Sequence, residues 1–310
     1  MTGTAILLIK SAITGWESAT KKEYNECYSL YGGSLNSHPD ILDFMHSKAD
    51  CKERYYVKTT SDGKLLGGIC VWNNSHIAGD VEIIKKLKLD PLPINHDEII
   101  LPLSPLLKTI LPFKTKVLSE ISHPSILNSS ITLNKKRVIC LSKGLNSDGF
   151  SSKTKNTRNK ELRKFLEAGG EIKNSAEFSA ESLTDLYFEL YEKRWGNKPD
   201  NRDVTIELLT QLNSMVFGSV LMLNGSPCAF QLILKCESPA WNCYDYVNGG
   251  VNTSESALSP GTVVTWLNVR DAFTQCQAAE KEMRYSFGKD SAQYKDRWCQ
   301  KRSTGRIITL

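Results

Sequence analysis

A run of landmarks recurs in this chain at an offset close to half its length, and no other feature constrains the fold as much. Tyr24, Glu26, Tyr28 and Gly33 are answered in register by Tyr187, Glu189, Tyr191 and Gly196. Further on, Pro39-Asp40 is answered by Pro199-Asp200, a turn at Asp62-Gly63 by one at Asn224-Gly225, and Ser104-Pro105 by Ser259-Pro260. The order is preserved and the offset drifts by only a few residues. A period this long points to a duplicated domain, since solenoid repeats are much shorter. With 310 residues, two units of about 150 residues fit the usual domain size.

Local signals give each unit the same grammar. Thr20 followed by Glu23 is a capping box, and Tyr24, Cys27, Tyr28 and Tyr31 then share one helical face. Tyr55 to Thr60 and Leu65 to Trp72 read as a hairpin, Glu98 to Leu103 as a strand, and Ser104-Pro105 as a helix start. Lys116 to Ile121 and Arg137 to Ser142 read as later strands. In the second unit the spacing predicts helices over Glu181 to Trp195 and Val204 to Met215, the latter capped by Asp203. A hairpin around Asn224-Gly225 and a strand from Trp241 to Val247 follow. Asn248-Gly249-Gly250 reads as a turn, Ser259-Pro260-Gly261 opens a long helix to about Lys281, and Met283 to Phe287 closes the unit. Antiparallel strands followed by strand-helix-strand imply the α+β class, with a mixed, mostly antiparallel sheet flanked by helices in each unit. The boundaries drawn are 1–145 for the first unit, 146–174 for a basic linker helix and 175–310 for the second unit.

Composition narrows the chemistry. Hydrophobic content of 40% and charged content of 24% are those of a folded globular chain. Nine cysteines are scattered without metal-ligand spacing, and five histidines all lie in the first half, so no metal site is expected. The apolar run Ala5 to Ile9 is too short to span a bilayer or serve as a signal-peptide core. A cytoplasmic protein is expected, with peripheral membrane contact left open. The net charge of +5 is matched by one segment: Lys153 to Lys164 carries six cations and one acid. Leu162, Phe165 and Leu166 would dock that helix. A solvated linker, phosphate recognition of a cofactor or of nucleic acid, and contact with anionic lipid are its three readings.

Two clusters can carry chemistry. The helix start at Gly261-Thr262 presents unpaired amides and the positive end of a dipole, which suits an anion. The segment from Ser286 to Trp298 ends a strand and then supplies Tyr294, Lys295 and Arg297. Tyr294 or Tyr285 can donate to a developing oxyanion or relay a proton, and Lys295 or Arg297 can neutralise an anionic ligand. Arg158 would join Gly261 and Thr262 as an anion cradle. The first unit lacks both the glycine after Ser104-Pro105 and a Tyr-Lys finish, so it is expected to be a degenerate partner.

The order of Arg158-x-x-x-x-Arg163-Lys164, Tyr191-x-x-x-Trp195-Gly196, hairpin, Ser259-Pro260-Gly261 helix and Phe287-Gly288-x-x-x-x-x-Tyr294-Lys295 resembles acyltransferases of the GNAT superfamily. It is most similar to the branch with two fused GNAT-like domains, which includes peptidoglycan-bridge aminoacyltransferases. More narrowly, Tyr191 to Gly196, Asn248-Gly249-Gly250 and Tyr294 to Cys299 resemble the macrophage-induced (Mig) antimicrobial-peptide-resistance proteins of enteric bacteria. That resemblance implies a bacterial protein of virulence, cytoplasmic and partly associated with the inner membrane, supporting resistance to cationic peptides. It also implies acyl transfer from acetyl-CoA or another acyl or aminoacyl donor to an amine on a small-molecule or envelope acceptor. The alternative it carries is a non-catalytic regulator that binds nucleic acid or anionic lipid. The chain departs from the superfamily's Gln/Arg-x-x-Gly-x-Gly/Ala pyrophosphate loop, where only Ser259-Pro260-Gly261 stands.

Overall fold

A computed structural model describes residues 14–134 and 137–309. The apolar run Ala5 to Ile9 lies outside the described residues. In the first half, β1 (Glu17–Ala19), β2 (Glu53–Thr59), β3 (Leu65–Trp72) and β4 (His76–Ile77) form an antiparallel sheet in chain order. Helices α1 (Lys21–Tyr31), α2 (Pro39–Lys48) and α3 (Val81–Lys86) accompany it. The capping box of α1 forms: the Thr20 side chain accepts from Glu23 N, and the Glu23 carboxylate accepts from Thr20 N.

Residues 98–121 depart from expectation. Glu98 to Leu103 and Lys116 to Ile121 make only isolated bridges, and no helix follows Ser104-Pro105. Pro102, Pro105 and Pro112 each remove a backbone donor, which interrupts both ladders and helices.

The larger sheet contains β6 (Val138–Ser142), β7 (Gly170–Asn174), β8 (Val216–Phe217), β9 (Ser219–Leu223), β10 (Ser226–Glu237), β11 (Trp241–Val251), β12 (Glu282–Lys289) and β13 (Cys299–Ser303). Its order is β13-β6-β12-β11-β10-β9-β7, with β8 also paired to β10. β11 and β12 are parallel, and the other neighbours are antiparallel. A two-stranded pair joins β5 (Ser129–Ser130) to β14 (Arg306–Ile307). The hairpin turn between β9 and β10 uses Asn224 (φ 52°) and Gly225 (φ 77°), the left-handed geometry that Asn-Gly supplies at little strain.

Apart from β4 and β13, a similar run of pairing directions occurs in the two halves. In the second, β7, β9, β10, β11, β12 and β6 are successive neighbours. In the first, β1, β2 and β3 are followed by an antiparallel bridge Gly67 to Leu103, a parallel bridge Ile99 to Leu118 and an antiparallel bridge Leu118 to Gly305. Each series ends on a segment supplied by the other half: β6 comes from before the basic helix, and Gly305 from the C-terminal end.

Helices α4 (Ser152–Glu167), α5 (Ala180–Trp195), α6 (Arg202–Gln211), α7 (Pro260–Ala278) and α8 (Lys295–Trp298) complete the second half. The start of α6 is Asn201, in the left-handed region, so Asp203 lies inside the helix and is not its cap. The basic helix α4 packs on α7: Leu162 and Phe165 join Val263, Val264 and Leu267 in one cluster, and the Trp266 indole donates to Asn159 Oδ1 at 2.9 Å. Leu166, expected in that stripe, is 43% exposed. The largest core draws from both halves, bringing Tyr24, Phe44 and Trp72 together with Leu186, Leu190 and Phe230. All nine cysteines are free thiols. Among the described residues, no helix is long and apolar enough to cross a membrane.

Candidate functional site

Where β11 and β12 stop pairing, a cleft opens. Their parallel ladder runs from Trp241 and Glu282 to Asp245 and Ser286. Beyond it, β11 stays with β10 as far as Val251, while β12 turns towards β6, with Lys289 opposite Ile139. A bulge lets β11 do so: Ile233 pairs with Tyr246 and Leu232 with Asn248, leaving Val247 over. Asn248-Gly249-Gly250 is therefore strand and not the expected turn. A Cβ at Gly250 would lie 2.4 Å from the backbone of Leu190 and Tyr191, so this glycine lets α5 approach the strand.

The cleft has a volume of about 630 Å³. Four elements wall it: Thr157, Arg158 and Glu161 of α4; Phe230, Gln231, Tyr246 and Val251 of the sheet; Ser259 to Thr262 with Val264 and Thr265 at the start of α7; and Tyr294, Arg297 and Trp298. Arg194, in the last turn of α5, closes one side. Ser259 is left-handed (φ 51°, ψ 46°), Pro260 is the first helical residue, and no side chain caps the helix. The Ser259 carbonyl accepts from both Thr262 N and Val263 N.

Of the expected site residues, four meet here: Arg158, Gly261, Thr262 and Tyr294. The Arg158 guanidinium lies 5.2 Å over the Trp298 ring and donates to Glu161 at 2.6 Å. Tyr294 is 37% exposed, and among the described residues its hydroxyl has no hydrogen-bond partner. Burial of its ring, with Tyr246 beside it, raises its pKa. The other two are placed elsewhere. Tyr285 is fully buried in the core, where its hydroxyl donates to Gln231 Oε1 at 3.4 Å. Lys295 is 6% exposed and its ammonium donates to the Phe287 and Lys289 carbonyls, both at 2.6 Å, and to Ser291 Oγ at 3.2 Å. Its three donors are occupied by the chain itself, which replaces the expected anion contact with a structural one; Arg297 is the cation of this segment that lines the cleft.

Three groups escaped the sequence reading. Arg194 lies 4.6 Å over Trp195 and donates to the Gly249 carbonyl at 3.2 Å. Tyr246 stands where the strands part. Gln231 forms part of the floor, joined to Thr265 and Asn268 of α7. Their roles depend on contacts across the sheet, for which local spacing carries no signal.

Away from the cleft, His76, Asp80 and Glu82 have ligand atoms within 4.8 Å of one another. Internal partners already hold them. Asp80 accepts from Glu82 N, Thr115 Oγ1 and Lys116 N, and Glu82 accepts from Lys116 Nζ.

Comparison with known proteins places the chain. The sequence model of the Mig-14 family matches residues 38–307. No curated protein matches the sequence. Among solved structures, FemX superposes with a TM-score of 0.52 at 9% identity, covering 94% of this chain and 96% of that one. The C-terminal domain of a putative lysylphosphatidylglycerol synthetase from Agrobacterium fabrum gives 0.47 at 9% identity, over 93% and 91% of the two chains. A tandem GNAT protein from the clavulanic acid biosynthesis pathway gives 0.40 at 9% identity, over 94% and 97%. The likeness to FemX establishes the fold and nothing beyond it.

Proposed function

We propose that this chain, which belongs to the Mig-14 family, is an acyl- or aminoacyltransferase built from two tandem GNAT-like domains, with its working site in the cleft of the second. The observation that carries this reading is the convergence, at the fork of a parallel strand pair, of a helix start, three arginines and a tyrosine hydroxyl that has no partner among the described residues. The similar run of pairing directions in the two halves supports the tandem arrangement.

The anionic part of a donor, acetyl-CoA or an aminoacyl-RNA, lies against Gly261 and Thr262 and the guanidinium groups of Arg158, Arg194 and Arg297. Thr262 N already donates to the Ser259 carbonyl, so of the expected pair of amides Gly261 N is the one without a partner among the described residues; a helix start and fork-shaped cations both favour phosphate. The acceptor amine attacks the acyl carbonyl, a C–N bond forms, and the C–S or C–O bond to the carrier breaks. The proton lost by the amine ends on the leaving thiolate or alkoxide, and Tyr294 delivers it. The phenol is protonated at neutral pH, and burial of its ring raises its pKa further. Most of the acceleration comes from holding the reactants together. An envelope amine as acceptor would connect this chemistry to the resistance to cationic peptides that the family resemblance implies.

Mass spectrometry of amine acceptors incubated with protein and donor tests the reading, and acylated product is expected. A second reading rests on the outward face of α4, where Lys153, Lys160 and Arg163 are exposed: a regulator holding nucleic acid or anionic lipid at the inner membrane. Absence of acylated product, with duplex binding that weakens steeply as salt rises, would favour it.

A further inference from the structure

Behind the cleft floor runs a hydrogen-bond relay whose direction is set by the backbone. Ser219 N can only donate, and it donates to Asn268 Oδ1 at 2.9 Å. Asn268 therefore turns its Nδ2 outward, and that group donates to Gln231 Oε1 at 2.9 Å. Gln231 in turn presents Nε2 to Thr265 Oγ1 at 2.8 Å, and the Thr265 hydroxyl donates to the Gly261 carbonyl at 2.7 Å. Tyr285 brings a second donor to Gln231 Oε1. The oxygen of this amide thus faces two donors and is unavailable to a ligand. The nitrogen carries two hydrogens, of which Thr265 takes one. Among the described residues the other has no acceptor, although Gln231 is only 4% exposed and lines the cleft.

The geometry points to Gln231 Nε2 as the donor that binds the acyl carbonyl oxygen of the ligand, held in that sense by Ser219, Asn268, Thr265 and Tyr285. This rests on the acyl-transfer reading and names the group at which the site distinguishes an acyl donor from its bare carrier. A neutral amide in a buried floor suits an uncharged acceptor, whereas the cations and the helix start take the phosphates. A site built around a fixed donor also discriminates against analogues that lack the acceptor, because a buried N–H is then left unpaired. Tyr285 becomes a positioning residue in place of a catalytic one.

Titration calorimetry on the full chain tests this with two ligand pairs. Acetyl-CoA is compared with S-ethyl-CoA, which keeps every phosphate and loses the carbonyl, and an aminoacyl-RNA minihelix with its deacylated form. In at least one pair the wild type should prefer the carbonyl-bearing member by about ten-fold, the worth of one buried hydrogen bond. Gln231→Met removes the donor. Asn268→Asp keeps the bond from Ser219 but removes the donor to Gln231, so the Gln231 amide turns over and presents its oxygen. Both variants should reduce the preference to within about two-fold while binding the carbonyl-free member as before. If Gln231→Met melts early, Asn268→Asp carries the test with Gln231 intact. A preference that survives in both variants, or a wild type that shows no preference in any pair it binds, overturns the role of Gln231 and leaves the acyl-donor cleft standing. A wild type that binds no member of either pair removes the acyl-transfer reading, and this inference with it.

Discussion

Tyr294 and Lys295 are neighbours in sequence with opposite fates. Among the described residues the tyrosine hydroxyl is without a partner at the cleft, and the lysine ammonium is buried under two carbonyls and a serine. Tyr294→Phe should leave the melting temperature unchanged and slow acyl transfer about 100-fold, the size of a lost proton donor. Lys295→Met should do the reverse, destabilising the fold by about 2 kcal/mol with the chemistry retained; equal activity losses without destabilisation would return Lys295 to the site. A third residue reports on pH. Asp245 faces Glu98, Asp97 and Arg284 between the two halves, and burial, then the two carboxylates, push its pKa from 3.8 up to about 8. Folded Asp245 keeps its proton across that window while the unfolded chain has lost it. The folded state binds the extra proton, so this contribution to stability is present below about pH 4 and declines as pH rises towards 8. Denaturant titrations should show Asp245→Asn removing a slope of up to about 1.4 kcal/mol per pH unit; an unchanged slope would assign the proton elsewhere.

Elements differed in how far the sequence disclosed them. The hairpin at Asn224-Gly225, the cap of α1 and the start of α7 were legible because each is a local rule satisfied locally. Residues 98–121 were not, because apolar alternation there is broken by prolines whose effect depends on which neighbour asks for the missing donor. The extension of β11 through Asn248-Gly249-Gly250 was also hidden: two glycines signal a turn, yet here Gly250 serves the close approach of α5. Gly250→Ala would place a methyl group 2.4 Å from backbone atoms, and should destabilise the fold by about 3 kcal/mol, the upper range for overpacking. Since Arg194 is carried by the same helix, ligand affinity should fall in the same variant. A neutral melting curve would mean that the helix and strand are not packed as described.

At the scale of the whole molecule, the repeated landmarks fall on or beside helices and a hairpin in each half, except that Ser104-Pro105 opens no helix, and they gave no sign of the exchange between halves. β6 pairs with β12 and β13 across 145 to 165 residues of chain, and Gly305 returns to Leu118. Pairings so distant in sequence leave no periodic trace. For the same reason four of the six expected site residues came together at one cleft, while the polarity of Gln231 stayed invisible. The exchange predicts that residues 146–310 alone, lacking β6 and half of the shared core, give no cooperative melt; a sharp two-state transition from that fragment would contradict the interdependence of the halves. In the proposed function the cleft holds an anionic acyl donor. A crystal structure of the full chain with a non-hydrolysable donor, acetonyl-CoA or an aminoacyl-amide RNA minihelix, tests it most directly. Phosphate density is expected against Gly261, Thr262 and Arg158, with the acyl end between Tyr294 and Gln231. Donor density in any other groove of the molecule, with this cleft empty, would contradict it.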